Sequence, residues 1–303
     1  MKRIILLVAA LAATFATALA EPANSREPFK KHYDYRNFTA VSVSNVFHVE
    51  LTFEDKWSVD VEVPDFLQPY LKITCNGEKL RIGLETLPKD IQRKLNDYPD
   101  QVRAWVSMPR LLSLTMSGAT RVNTIGIPKL AADDNLSVDL SGASELDMLQ
   151  AASEGRLSIE LSGASKANLN ANFQTMNIDL SGASHLKLEG NAESMALDCS
   201  GASSARFTGD YQKINTDISG SSKLKVDGDI ETLKLDASGA CKCELEGVTD
   251  KADIELSGVS KCKLAVTKKL SYELSGVSTL QIMNLGATIR GEISRGSKIE
   301  YLK

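Results

Sequence analysis

The stretch Leu180-Ser181-Gly182-Ala183-Ser184-His185-Leu186-Lys187-Leu188 is answered, 199 − 180 = 19 residues later, by Cys199-Ser200-Gly201-Ala202-Ser203-Ser204-Ala205-Arg206-Phe207. In both, a Ser-Gly-Ala-Ser tetrad sits between two short segments whose apolar residues alternate with polar ones. The tetrad, or a near variant, begins at Ser117, Ser141, Ser162, Ser181, Ser200, Ser219, Ser238, Ser257, Ser275 and Ser294, at successive spacings of 24, 21, 19, 19, 19, 19, 19, 18 and 19. The last copy is degenerate, with Arg295 in the glycine position, and an earlier ghost stands at Ser44-Asn45-Val46-Phe47. A fixed period of this length marks a repeat architecture.

Aligning the copies on their first serine exposes columns. One residue before it stand Leu140, Leu161, Leu180, Cys199 and Ile218; three before, Val138, Ile159, Ile178 and Leu197; five before, Leu136, Leu157, Met176 and Met195. Five residues after it come Leu146, Ala167, Leu186, Ala205 and Leu224; seven after, Met148, Leu169, Leu188, Phe207 and Val226. Such period-two alternation is the pattern of a strand with one buried face. Turn signals follow at Gly190-Asn191, Gly209-Asp210 and Gly228-Asp229, and then a short third segment with Phe173, Ala192, Tyr211 and Ile230 in one column. Each repeat therefore predicts two clear strands and a short third side. Glycine permits the bend between the strands, and alanine beside it suits a tight inside corner.

One such repeat cannot bury its apolar face alone, but a stack of them buries a continuous core. The expected fold is all-β: a right-handed parallel β-helix with coils of about 19 residues, the hand following the bias of parallel crossovers. A propeller would need blades of about 40 residues with a WD or kelch signature, and a sandwich gives no reason for like residues to recur at this period. Residues 32–110 are less regular but still alternate, at Val41, Val43, Val49 and Leu51, at Val59, Val61 and Val63, and at Leu80, Ile82 and Leu84. They read as irregular first coils and a cap, forming one domain with the regular solenoid of residues 111–303. Residues 85–100, polar and with two prolines, read as an inserted surface loop.

Residues 1–20 are of another kind. Lys2 and Arg3 precede an apolar run that ends at Ala18-Leu19-Ala20, the signature of a cleaved signal peptide. Residues 21–31 then form an N-terminal linker. The segment is short for a membrane helix, which needs roughly 20 apolar residues, and no later stretch is expected to span a bilayer. No cysteine lies near the cleavage point, so lipid attachment there is not expected. The protein should be exported, to the periplasm, the cell surface or the medium. A net charge of −4 leaves no basic footprint for nucleic acid. The five cysteines, Cys75, Cys199, Cys241, Cys243 and Cys262, include no C-x-x-C pair, so neither a zinc site nor a thioredoxin-like motif is indicated. Cys243 and Cys262 share an inward column and are expected as buried free thiols.

Phe38-Thr39-Ala40-Val41-Ser42-Val43-Ser44 with Val49-Glu50-Leu51, then Leu80-Arg81-Ile82, then Val106-Ser107-Met108-Pro109-Arg110-Leu111-Leu112-Ser113-Leu114 leading into Ser117-Gly118-Ala119, and finally the serial tetrads, make a pattern that spans nearly the whole mature chain. It resembles the family known as putative auto-transporter adhesin, head GIN domain. The resemblance implies a right-handed β-helix and an adhesin-type role, and carries no catalytic signature. Membrane barrel strands of the auto-transporter kind, about 10 residues each, are not expected, since the repeat runs on to Lys303.

Two solvent-facing columns are the candidate binding features. Two residues before each tetrad from Ser141 onward stands an acid: Asp139, Glu160, Asp179, Asp198, Asp217, Asp236, Glu255, Glu273 and Glu292. It reads as a solvated ladder that keeps the solenoid soluble. Its other reading is a linear calcium site at Asp179, Asp198, Asp217 and Asp236, because stacked carboxylates and hydroxyls are the hard oxygen ligands that ion takes. Four residues after the tetrad serine stand Lys166, His185, Lys223, Lys242, Lys261 and Lys298; Lys223, Lys242 and Lys261 are the expected binding surface for an extended glycan or envelope component. The serine columns read as corner ladders, since a nucleophile needs a base and an orienting group and His185 is the only nearby base. Trp57 and Trp105 read as core or cap packing, or else as sugar-stacking platforms. No catalytic residue and no cofactor is assigned. The expected function is a non-enzymatic envelope binding or adhesion module; the alternative is a carbohydrate-active β-helix enzyme, a lyase or hydrolase, in which one coil would break the repeat with an asymmetric cluster. The oligomeric state is left open.

Overall fold

The structure, a computed structural model, describes residues 27–98 and 100–302. The expected signal peptide at 1–20 and residues 21–26 of the expected linker lie outside the described residues.

Successive coils pair in parallel at the period of the repeat. The strand Ala192–Cys199 lies against Tyr211–Ile218, with Leu197 opposite Thr216 and Asp198 opposite Asp217. Ser204–Thr208 lies against Lys223–Asp227, with Ala205 opposite Leu224 and Phe207 opposite Val226. The chain is thus a parallel β-solenoid of about 19-residue coils, and the alternating apolar columns form one continuous core. Coils such as 185–199 and 204–218 contribute two strands each, while in Glu145–Leu161, Lys166–Leu180, Lys242–Leu256 and Lys261–Leu274 the sides merge into one. The third side carrying Ala192, Tyr211 and Ile230 is buried as expected, but it runs without a break into the longer strand.

The corner between the strands is set by the tetrad. Gly182 has φ +71°, and a Cβ built on it would stand 2.5 Å from the carbonyl oxygen of Gly163 in the preceding coil. Glycine is therefore demanded twice, by the left-handed backbone and by the coil stacked against it. The next amide, that of Ala183, donates to the Gly163 oxygen at 2.7 Å, and Ala202 repeats the bond to Gly182 at 2.8 Å. The left-handed turn sends the alanine methyl outward: Ala183 is exposed, which corrects the expectation of an inside position. The inward residue is the fourth of the tetrad. Ser184 is fully buried, and its hydroxyl donates to the carbonyl of Ser181 at 2.7 Å. Ser144, Ser165, Ser222 and Ser278 do the same within their own tetrads. A buried hydroxyl needs such a partner, and this one also ties the corner shut.

The unequal spacings become bulges. The strand Glu145–Leu161 pairs with Lys166–Leu180 at a separation of 21 residues at Leu146–Ala167, 20 at Leu149–Leu169 and 19 at Leu157–Met176, with slips at Leu146/Leu149 and Ser153/Arg156. Two single-residue bulges thus return a 21-residue coil to the regular period. They also place Leu149, rather than the expected Met148, opposite Leu169.

At the N-terminal end the ghost tetrad proves to be a real corner. Asn45 takes φ +70° in the glycine position, its carbonyl accepts from Ala119 at 2.7 Å, and Phe47 fills the inward site of the fourth serine. Stack order there departs from chain order. Ala40–Val43 lies between Lys79–Leu84 and Ser113–Met116, and His48–Phe53 between Arg103–Met108 and Arg121–Ile125, all in parallel. The outermost coil is thus made by later residues, and antiparallel strands close it: Leu71–Asn76 on Lys79–Leu84, Ser58–Val63 on Arg103–Met108, and Phe29–Tyr33 beyond. The expected loop at 85–100 contains the α-helix Lys89–Leu95, none of whose residues is fully buried.

Cys243 lies opposite Cys262 in adjacent coils, and every cysteine is a free thiol. Burial pushes the Cys262 thiol up to about 12 and Cys199 to about 11, far from the thiolate form that disulfide exchange requires. Alkylation of the native, unreduced protein should leave both Cys243 and Cys262 unmodified, and denaturation without reductant should then release them; a pair freed only by reductant, seen by intact mass, would contradict this. Leu180, fully buried between Leu161 and Cys199, should cost about 2–5 kcal/mol on truncation to alanine, read as a lower denaturation midpoint at unchanged slope.

Candidate functional site

Because coils stack in register, every outward position becomes an axial stripe. The nine acids form an unbroken one: Asp139 lies opposite Glu160, and the pairing continues through Asp179, Asp198, Asp217, Asp236, Glu255 and Glu273 to Glu292. Seven of the nine are exposed, and Asp139 and Asp236 are half-buried. The carboxyl of Asp198 is held above its ordinary value of 3.8, first by partial desolvation and then by the charges of Asp217 and Asp179. Among the described residues no group of three or more His, Cys, Asp or Glu is placed to hold a metal ion, the four aspartates read as a calcium ladder included.

Beyond the corner lies a stripe of opposite sign. Lys223, Lys242 and Lys261 stand in consecutive coils in direct register, all exposed. The structure adds a second outward column that the sequence reading passed over, six residues after the tetrad serine: Lys187, Arg206 and Lys225 in register, then Glu244 and Lys263. Arg206, Lys223, Lys225 and Lys242 line a shallow cavity of about 200 Å³. Lys242 bonds Glu244 and Lys225 bonds Glu246, each at 2.6 Å. Glu244 is held below the usual carboxylate range, first by the Lys242 hydrogen bond and further by the charges of Lys242, Lys225 and Lys263. The patch keeps more cations than anions. Summing the alternating register over both outward columns would have exposed it.

The third side holds a feature that the apolar columns concealed. A groove of about 1420 Å³ runs along the axis from Leu130 to Asp250. Its wall is the exposed column Gln174, Glu193, Gln212 and Glu231, continuing to Asp250. Its rim is a backbone-locking ladder at the glycine turns: the Asn172 side chain accepts from the amide of Asn191, Asn191 from Asp210, Asp210 from Asp229 and Asp229 from Val248, at 2.8–3.0 Å. The side chains that buried-strand logic assigned wholly to the core, Phe173, Ala192, Tyr211 and Ile230, form its floor.

The remaining candidates are structural in their contacts. The Nδ1 of His185 pairs with the carbonyl of Ala183 at 3.0 Å, and among the described residues no carboxylate hydrogen-bonds its ring. The indole of Trp57 donates to the carbonyl of Phe38 at 3.2 Å, whereas Trp105 is 36% exposed on the outermost coil. Among the described residues no helix is long and apolar enough to cross a membrane.

Residues 37–207 and 176–286 match the family described as "Putative auto-transporter adhesin, head GIN domain". Solved structures similar to the chain include a "putative adhesin" from Parabacteroides distasonis (12% identity, TM-score 0.48) and one from Parabacteroides merdae (12%, 0.46). A "putative lipid binding protein" from Parabacteroides distasonis is also similar (13%, 0.42). Each alignment covers 92% of this chain and 98% of the other. No curated protein matches the chain.

The acidic stripe generates a pH prediction. A carboxyl whose folded value is raised binds protons more readily in the native state than unfolded, so stability falls as pH rises through the window above 3.8. Asp198→Asn should therefore raise the melting temperature slightly at pH 7, and the gain should vanish once the pH is below 3.8, the ordinary aspartate value. A thermal melt series over pH reads both arms; a lower melting temperature at pH 7 would show that the carboxylate makes a stabilising contact instead.

Proposed function

The chain belongs to the auto-transporter adhesin head GIN domain family, and on that premise we propose that it is a non-enzymatic binding or adhesion module of the cell envelope, exported by a cleaved signal peptide to the periplasm, the cell surface or the medium. The observation that carries this reading is the register itself. Charged side chains recur coil after coil at one height, as in the run Lys223, Lys242, Lys261, and a surface that repeats every coil is matched by a ligand that also repeats. The working surface is the basic stripe with Arg206, and the partner class is an extended polyanion, such as an acidic glycan or an acidic envelope polymer, laid along the axis beside the acidic stripe that repels it elsewhere.

Such binding should be strongly salt-dependent, since exposed charges are screened beyond about 10 Å at 0.1 M ionic strength. On a polygalacturonate support, the mature protein should be retained at low salt and released as salt rises. The triple reversal Lys223→Glu, Lys242→Glu, Lys261→Glu should abolish retention with an unchanged far-UV spectrum, because all three side chains face solvent. Calcium-dependent release of unsaturated uronate products would overturn the reading in favour of a lyase, and unchanged retention by the triple variant would remove the basic stripe from it.

A further inference from the structure

The groove on the third side lies apart from the basic stripe, and its chemistry is different. Among the described residues no lysine or arginine is in its lining, though Lys268 bonds the Asp250 carboxylate at its end at 2.6 Å; Lys213 and Lys251 stand one column away. Over four consecutive coils its wall alternates amide and carboxylate, Gln174, Glu193, Gln212, Glu231, before Asp250 ends it with a second carboxylate in succession, and Gln174 donates to Glu193 across one coil at 3.3 Å. Planar amides and carboxylates offer paired donors and acceptors, the set that a hydroxyl-rich chain requires, and the carboxylates repel a polyanion.

Length and period narrow the ligand further. Beyond its start at 130–132 the groove crosses the coils at 152–154, 172–174, 191–193, 210–212, 229–231 and 248–250, and these six levels span five steps of about 4.8 Å, or roughly 24 Å. The register slips at Ser153/Arg156 and at Thr249/Lys251, and the regular register holds across the coils of the groove between them. The amide–carboxylate alternation repeats every two coils, about 9.6 Å. An extended peptide turns like side chains to one side about every 6.6 Å and falls out of step. A polyproline helix docks on exposed aromatic faces, and here Phe173 and Tyr211 are each only 3% exposed. A 1,4-linked β-hexopyranose chain, whose rings alternate in orientation, repeats every two sugars on the scale of two coils.

One more observation points to a ligand. Tyr211 lines the floor, and its hydroxyl lies buried beneath it with no hydrogen-bond partner among the described residues. An unmade bond of this kind is unfavourable, and a water held between this hydroxyl and a bound sugar supplies the partner. We infer that this groove binds an extended, uncharged β-1,4-linked glycan lying along the solenoid axis.

The test is calorimetric titration of the mature protein with the β-1,4-linked hexasaccharide of N-acetylglucosamine. Saturable binding is expected, unaffected when ionic strength rises from about 0.1 M to about 1 M, and much weaker for the trisaccharide, which spans half the groove. The double substitution Gln212→Ala, Glu231→Ala, at two exposed positions, should weaken binding by about tenfold or more, the loss expected for one or two hydrogen bonds. Tyr211→Phe should leave the melting temperature equal or higher yet weaken the hexasaccharide severalfold. The triple lysine reversal of the basic stripe should leave hexasaccharide binding intact, which separates this site from the polyanion surface. Absence of saturable binding, equal affinity for trisaccharide and hexasaccharide, or full affinity in the double variant would overturn the inference. Tighter, salt-sensitive binding of the fully de-N-acetylated, cationic hexasaccharide would overturn it in favour of a polycation.

Discussion

The contact on which everything else rests is the one between a glycine at the corner of one coil and the glycine carbonyl of the coil before it. At Gly163, Gly182, Gly201 and Gly220 a Cβ would approach that oxygen to 2.4–2.5 Å. The amide that follows makes a 2.7–2.8 Å hydrogen bond to the same oxygen. Coil spacing and corner angle are thereby fixed together. A β-branched or bulky residue in that place would push adjacent coils apart and break the parallel ladder on both flanking strands. The serine three residues after the tetrad's first closes the same corner from inside, so the polar atoms of a sharp bend are satisfied without water. Cys241 takes that inward place in one coil and its thiol donates to the carbonyl of Ser238, a softer version of the same bond.

Once coils are locked in register, side-chain chemistry is amplified along the axis. A single outward lysine is a local charge; three in register are a stripe. The same geometry that forces like carboxylates together, as at Asp179, Asp198 and Asp217, lets the acidic ladder exist only where water screens it. It also explains why the groove is long rather than deep. Residues such as Gln174 and Gln212 reach its wall at equal height because their strands are paired.

The two ends of the stack differ. At the N-terminal end the outermost parallel strands, Lys79–Leu84 and Arg103–Met108, each receive an antiparallel partner, so their backbone donors and acceptors are paired and the edge passes to Leu71–Asn76 and Phe29–Tyr33. At the other end Thr288–Ile293 and Lys298–Tyr301 pair with a coil on one side only, and Ile293 and Tyr301 are about half or more exposed.

Periodicity alone determined the repeat, the inward columns, the parallel stacking and the placement of the acidic and basic stripes, because a strand has only two faces and a stacked coil repeats each of them. Even the spacings of 21 and 18 were written in the chain, and the structure resolves them as bulges. What the linear pattern could not decide was anything set by which segments meet. The N-terminal coils interleave out of chain order because a coil at 40–53 must be covered on both edges, and only the later residues 79–108 can close the outer one. Ala183 faces outward because a left-handed glycine reverses the side on which the next Cβ emerges. The groove emerged only in three dimensions, because its floor residues read as core and its wall residues read as ordinary solvent-facing polar positions. Their convergence depends on the bend at Gly190, Gly209 and Gly228, whose φ values of 141–149° swing the third side inward.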